Sequence, residues 1–126
     1  MTRAELLRRF VLNSVCDDTE DLEHVYYDFY RSATWCVTWI ERADVMDALI
    51  EAIEDGYVKA YRVIEGRPAA HLGEVQGVPA LEEMETPHAI VFGLTPKGRA
   101  LHLSEDDGLP WDENGNLREG WTEPKD

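Results

Sequence analysis

The chain has 126 residues, enough for one ordinary hydrophobic core. Its 44% apolar and 10% aromatic content is that of a folded protein, and 26 acidic residues against 12 basic ones leave a formal charge of −14. A field of that sign repels phosphate backbones, and no apolar run reaches membrane-spanning length.

Residues 2 to 16 carry Leu6, Leu7, Phe10, Val11 and Val15 at helical spacing. Thr2 followed by Glu5 predicts a capping box at the start of that helix. Arg3, Arg8 and Arg9 fall off its apolar face. A helix at this point, interrupted early by acidic residues, is no export signal, and the chain is expected in the cytoplasm. The cluster Asp17-Asp18-Thr19 predicts a break and a cap for a second helix. That helix, EDLEHVYYDFYR, turns Leu22, Val25, Tyr26, Phe29 and Tyr30 to one side. Residues 32 to 40 read either as a short strand or as a buried turn. Trp35, Val37 and Trp39 alternate there, so one side packs. A third helix covers 42 to 55, with Val45, Met46, Leu49, Ala52 and Ile53 inward and Gly56 as its stop.

The period changes at Gly56. Residues 57 to 63, YVKAYRV, alternate in twos and predict a strand. Residues 64 to 87 read as a long loop containing one helical turn within VPALEEME. Residues 88 to 94, HAIVFGL, predict a second strand antiparallel to the first. Such a pair is marginal alone and must pack on the helices. Thr95 then reads as an N-cap with Pro96 at the first helical position, and Ala100, Leu101 and Leu103 as the docking side of a short helix. From Ser104 onward the core pattern is lost. Trp111 and Trp121 flank Asn114-Gly115, and the segment reads either as a small hairpin or as a mobile acidic tail.

The chemistry-bearing residues form no recognisable catalytic or metal pattern. Cys16 and Cys36 make no C-x-x-C pair and read as reduced thiols. His24, His71, His88 and His102 make no H-E-x-x-H or close pair. His24 and Asp28, four apart, share a helical face but lack a third ligand. The expectation is a protein with no enzymatic activity, no metal and no cofactor.

Two runs carry a resemblance. ADVMDALIEAIEDGYVKAYRV, over 43 to 63, resembles the third helix and first wing strand of bacterial winged helix-turn-helix domains. FGLTPKGRAL, over 92 to 101, resembles the closing strand and helix entry of MarR-like and PadR-like regulators. The fold this implies is α+β: a winged helix of three helices, a two-stranded antiparallel wing with a long connection, and a short closing helix. It would span residues 1–103, with 104–126 as an acidic tail or small hairpin. In such regulators the third helix enters the major groove and the wing meets the backbone.

The charge of this chain opposes that use. Residues 41 to 55 hold six acids and one base, Arg42, and the wing from 65 to 87 holds five acids and one base, Arg67. If DNA is bound, Arg42, Lys59, Arg62 and Arg67 are the candidate contacts, and they must converge on one face. The favoured expectation is a regulatory module that binds a protein partner or itself. Its candidate surface is Tyr26, Tyr27, Tyr30 and Trp35, because tyrosine and tryptophan are enriched at interfaces.

Overall fold

The computed structural model describes residues 1–33, 37, 39–105, 109–112, 114 and 116–126, with the backbone alone for 30–33. It is a mixed α+β fold. In chain order the described elements are α1 (Arg3–Ser14), β1 (Glu20–Asp21), α2 (Leu22–Ala33), α3 (Arg42–Glu54), β2 (Val58–Ile64), β3 (His71–Glu74), α4 (Leu81–Glu85), β4 (Ile90–Leu94) and α5 (Pro96–Ser104).

Local chemistry sets the helix limits. The Glu5 N–H donates to Thr2 Oγ1 at 3.1 Å and the Thr2 N–H donates to the Glu5 carboxylate at 3.2 Å, which is the expected capping box. The start of α2 departs from expectation. Its cap is Asp21, whose carboxylate accepts the His24 N–H at 2.9 Å, and not the 17–19 cluster. That leaves Glu20 and Asp21 extended, and they pair with Phe92 and Val91 as a strand too short for any periodicity to reveal. At the end of α3, Gly56 takes φ +80°, the Tyr57 N–H reaches the Ala52 carbonyl and the Gly56 N–H reaches the Ile53 carbonyl. These two bonds satisfy carbonyls that the helix leaves open, and they aim the chain into β2.

The sheet is antiparallel throughout, in the order β1-β4-β2-β3. The expected pairing of the two flanking strands is present, from Val58 opposite Leu94 to Arg62 opposite Ile90. The expected loop over 64–87 is corrected in part. His71–Glu74 turns back on β2 as β3, with Gly73 opposite Arg62 and Leu72 opposite Val63. Its signal was weak because an exposed edge strand needs no buried alternate face. The helical turn expected within 78–85 is α4, held by the buried Met84.

The core lies between the inner face of the sheet and the helices. Val58, Ala60, Ile90 and Phe92 meet Leu6, Phe10 and Val11 of α1, Val25 and Phe29 of α2, and Val45, Leu49 and Ala52 of α3. The five inward residues predicted for α3 are all buried. Val45, Met46, Leu49 and Ile53 contribute about 1.5–3 kcal/mol each. Val37 is buried and Trp39 is partly buried against this core, whereas Trp35 and Cys36 lie outside the described residues.

The docking side of α5 is also corrected. Ala100 is exposed and Leu103 is 68% exposed; only Leu101 packs in part on the core. What holds α5 is its first turn. Thr95 Oγ1 accepts the Gly98 N–H at 3.0 Å and donates to the Gly56 carbonyl at 2.6 Å, while Lys97 Nζ donates to the Asp55 carbonyl at 2.7 Å. The run LTPKG therefore clamps the α3–β2 turn. The Thr95→Ala variant removes both bonds of its hydroxyl and is expected to lose about 1–2 kcal/mol by urea titration.

Beyond α5 the chain returns to α1. Leu109 and Pro110 are buried, and Trp111 stacks on Phe10 with ring centres 5.5 Å apart. Trp111 bridges to Leu117 in antiparallel fashion, and the Arg3 guanidinium, lying 4.6 Å over Trp39, donates to the Pro124 carbonyl. Gly115 of the expected turn lies outside the described residues.

Candidate interaction surfaces

In the winged helix-turn-helix domains that residues 43–63 resemble, the solvent side of the third helix would face a duplex. That side of α3 exposes Ala43, Asp47, Glu51 and Glu54, followed by Asp55 at its C-terminal end. No base stands among them. Arg42, at the first turn, is turned back onto α2. Its guanidinium lies 4.0 Å over the Tyr26 ring and donates to Glu23 at 2.9 Å.

Two of the other candidate DNA contacts are likewise answered by carboxylates. Arg62 makes a two-pronged bond to Glu83 of α4, at 2.7 and 2.8 Å, and Lys59 pairs with Glu74 of β3. Arg67 sits exposed on the β2–β3 loop and makes no ion pair among the described residues. The four bases do not form one free patch. On α1, Arg8 and Arg9 both reach Glu105 after α5, so these arginines are tied to the fold and are not loose surface charges.

The Arg62 hydrogen bond holds the Glu83 carboxyl below its ordinary value. A depressed acid contributes stability that is complete above its unfolded value and lost as pH falls through the folded one. The clasp between β2 and α4 is therefore expected to loosen only at pH below the ordinary carboxylate range. Chemical shifts of Met84 and Arg62 should follow the Glu83 titration in the parent and lose that step in Glu83→Gln.

The aromatic candidates separate. Tyr26 is only 5% exposed, so it belongs to the core and offers no free surface; burial pushes its hydroxyl up, opposed by Arg42. Tyr27, on the next position of α2, is 58% exposed. The side chain of Tyr30 and all of Trp35 lie outside what is described, so the four are not seen as one surface.

One cleft was not anticipated. It has a volume of about 270 Å3 and lies where α1, β1 and α2 meet Trp111. Phe10, Phe29 and Trp111 line its apolar side, and Asp17, Glu20, His24 and Asp28 its polar side. His24 lies 3.4 Å from Glu20 and 3.7 Å from Asp28, one helical turn away on either side. Ser14 Oγ donates to Asp28 at 2.8 Å. The i, i+4 spacing of His24 and Asp28 was visible in the sequence, and Glu20 stands at the same spacing before His24, although it lies on β1 and not within the helix expected to include it. Burial pushes the Glu20 carboxyl up, His24 opposes this, and Asp28, Asp18 and Asp21 add to it. A raised acid makes ionised Glu20 a cost at neutral pH, relieved as pH falls through its folded value. Glu20→Gln should thus stabilise slightly at pH 7, by roughly a few tenths of a kcal/mol, with the advantage shrinking in thermal melts as pH falls and the carboxyl takes up its proton.

Cys16, half-buried beside Asp17, has its thiol pushed up by burial and by that carboxylate, so it stays protonated at neutral pH. Among the described residues no group of three or more His, Cys, Asp or Glu side chains is placed to hold a metal ion, and no helix is long and apolar enough to cross a membrane. Comparison with protein-family models, curated proteins and solved structures finds no match for this chain.

Proposed function

We propose that this protein is a winged-helix regulatory module of the cytoplasm that works by binding another protein, without catalysis or cofactor, and does not place its third helix in DNA. The fold part of this reading is supported by chain order: three helices, the third leading directly through a glycine stop into β2, which pairs antiparallel with β4. This is the arrangement implied by the resemblance of residues 43–63 and 92–101.

The functional part rests on the exposed side of α3. Asp47, Glu51, Glu54 and Asp55 lie where phosphates would stand. Two like charges 4 Å apart repel by about 1 kcal/mol in bulk water and about 4 kcal/mol at a protein surface. A duplex contact gains its affinity from several freed counterions. Of the four candidate contacts only Arg67 makes no ion pair among the described residues, one base against four acids, and recruiting Arg42, Lys59 or Arg62 requires breaking their ion pairs. Self-association is disfavoured by the same field, since two copies would each bring a charge of −14.

Fluorescence polarisation with a labelled random duplex at 20–50 mM salt, on the order of the lowest practical ionic strength, tests the reading. No saturable binding is expected. Replacing Asp47, Glu51 and Glu54 by lysine should create salt-sensitive retention. Tight binding by the parent chain would instead establish the DNA-binding reading. Sedimentation equilibrium should return a monomer, and a dimer that persists in high salt would make a second copy the partner.

A further inference from the structure

We infer that the free edge of β3 receives an extended, basic segment of a partner protein as an added fifth strand. This rests on the protein-binding reading and gives that reading a surface and a partner chemistry.

The hydrogen-bond alternation of the sheet carries the inference. The Val75 N–H donates to the Ala60 carbonyl at 3.0 Å, so residues 75 and 60 form a hydrogen-bonded pair. In an antiparallel ladder such pairs alternate. With the observed register, Gly73 with Arg62 and His71 with Ile64 are then the hydrogen-bonded pairs. Leu72 and Glu74 occupy the intervening positions, so their N–H and C=O groups point away from β2. The Val63 N–H, opposite Leu72, agrees: it turns to the other side and donates to the Ala89 carbonyl at 2.9 Å. Among the described residues no backbone group meets the outward groups of Leu72 and Glu74. Two donors and two acceptors, spaced as in a ladder, are what an extended backbone requires.

The side chains say what kind of segment fits. Leu72 is 46% exposed and lies on the outer face beside Val63, with Tyr61 and Val91 further along it, all half-exposed. Glu74 stands two residues on, and Glu65, Glu82 and Glu85 are exposed nearby in the chain. Arg62 is already answered by Glu83, and Lys59 by Glu74, which leaves Arg67 and an acidic surround. An antiparallel strand would place an aliphatic residue opposite Leu72 and, two residues before it, a lysine or arginine opposite Glu74, where it would share that carboxylate with Lys59 within the acidic surround. A second copy fits poorly. Pairing β3 with itself about Gly73 sets Leu72 against Glu74 and brings two strongly acidic chains together.

Proline offers a clean test, because at an outward-facing edge position it removes a donor without touching the β2 ladder. The probe is an acetylated seven-residue peptide of alternating lysine and valine, titrated into the full 15N-labelled chain. Binding is expected with Kd below about 1 mM. Amide exchange should slow at Leu72 and Glu74 and stay unchanged at His71 and Gly73. The same peptide with glutamate for lysine should not bind. Glu74→Pro should weaken binding more than tenfold with a melting temperature lowered by no more than a few degrees, the share of the lost Lys59–Glu74 pair. Should that variant unfold, Leu72→Lys, which keeps the backbone, must show the same loss. Absence of binding, or protection confined to α3, overturns the edge assignment. Protection on α3 leaves the protein-binding reading standing, whereas tight duplex binding by the parent chain overturns that reading and not the edge geometry.

Discussion

The Gly98→Ala variant is expected to lose at least about 3 kcal/mol, close to a 10 °C fall in melting temperature for a domain of this size. A Cβ at residue 98 would lie 1.9 Å from the Tyr57 carbonyl oxygen and 2.8 Å from its carbon. That obstacle is backbone and cannot rotate aside. Tyr57 is itself fixed, because its carbonyl accepts the Thr95 N–H at 3.1 Å and its N–H closes the end of α3. Relief therefore requires α5 to lift from the α3–β2 turn, breaking the bonds of Thr95 and Lys97. Gly73→Ala is the informative control. There the nearest atom, at 2.7 Å, is the Cδ1 end of Ile64, which can swing away into solvent. Its loss should stay below about 1 kcal/mol. Equal losses for the two variants in thermal melts would show that steric fit at Tyr57 is not what anchors α5.

A Trp111→Ala variant should lose roughly 2–4 kcal/mol, and a chain ending at Glu105 should lose more. The Trp111 ring stacks on Phe10 at an interplanar angle of 29°, and Phe10 in turn meets Phe29 edge-on at 5.4 Å. Removing the indole opens the α1–α2 seam at its aromatic centre. Leu109 is buried where Arg9 and Leu12 of α1 meet His102 of α5, so the shortened chain would expose apolar surface on α1. Urea titration measures the loss, and dye binding to apolar surface should rise for the shortened chain. A cost below about 0.5 kcal/mol for Trp111→Ala would mean that the stacking adds no stability.

Much of the helical layer was legible in the sequence. Thr2 with Glu5, the inward set Val45, Met46, Leu49, Ala52 and Ile53, the stop at Gly56 and the Thr95-Pro96 start are all local signals. Each depends on residues within one or two turns of one another, which is the range over which capping, periodicity and turn chemistry act. The charge objection to DNA was legible too, because residues 41 to 55 carry six acids against the single base Arg42.

The rest depended on residues distant in sequence. β1 exists because Glu20 and Asp21 meet Phe92 and Val91, some seventy positions later, and two residues carry no period of their own. Arg42, Lys59 and Arg62 looked like free bases; Glu23, Glu74 and Glu83 neutralise them only after α2, β3 and α4 are in place. Tyr26 was an interface candidate because tyrosine is enriched at interfaces, but its place on the apolar side of α2 with Leu22, Val25 and Phe29 puts it in the core, with the Arg42 guanidinium lying over its ring. Composition and local pattern thus determined that the chain is an acidic α+β domain with a helix-to-strand passage at Gly56. Which charges remain free, which edge of the sheet stays open and where the last residues lie were decided by tertiary structure alone, because ion pairs, strand register and aromatic stacking join atoms that no short stretch of chain contains.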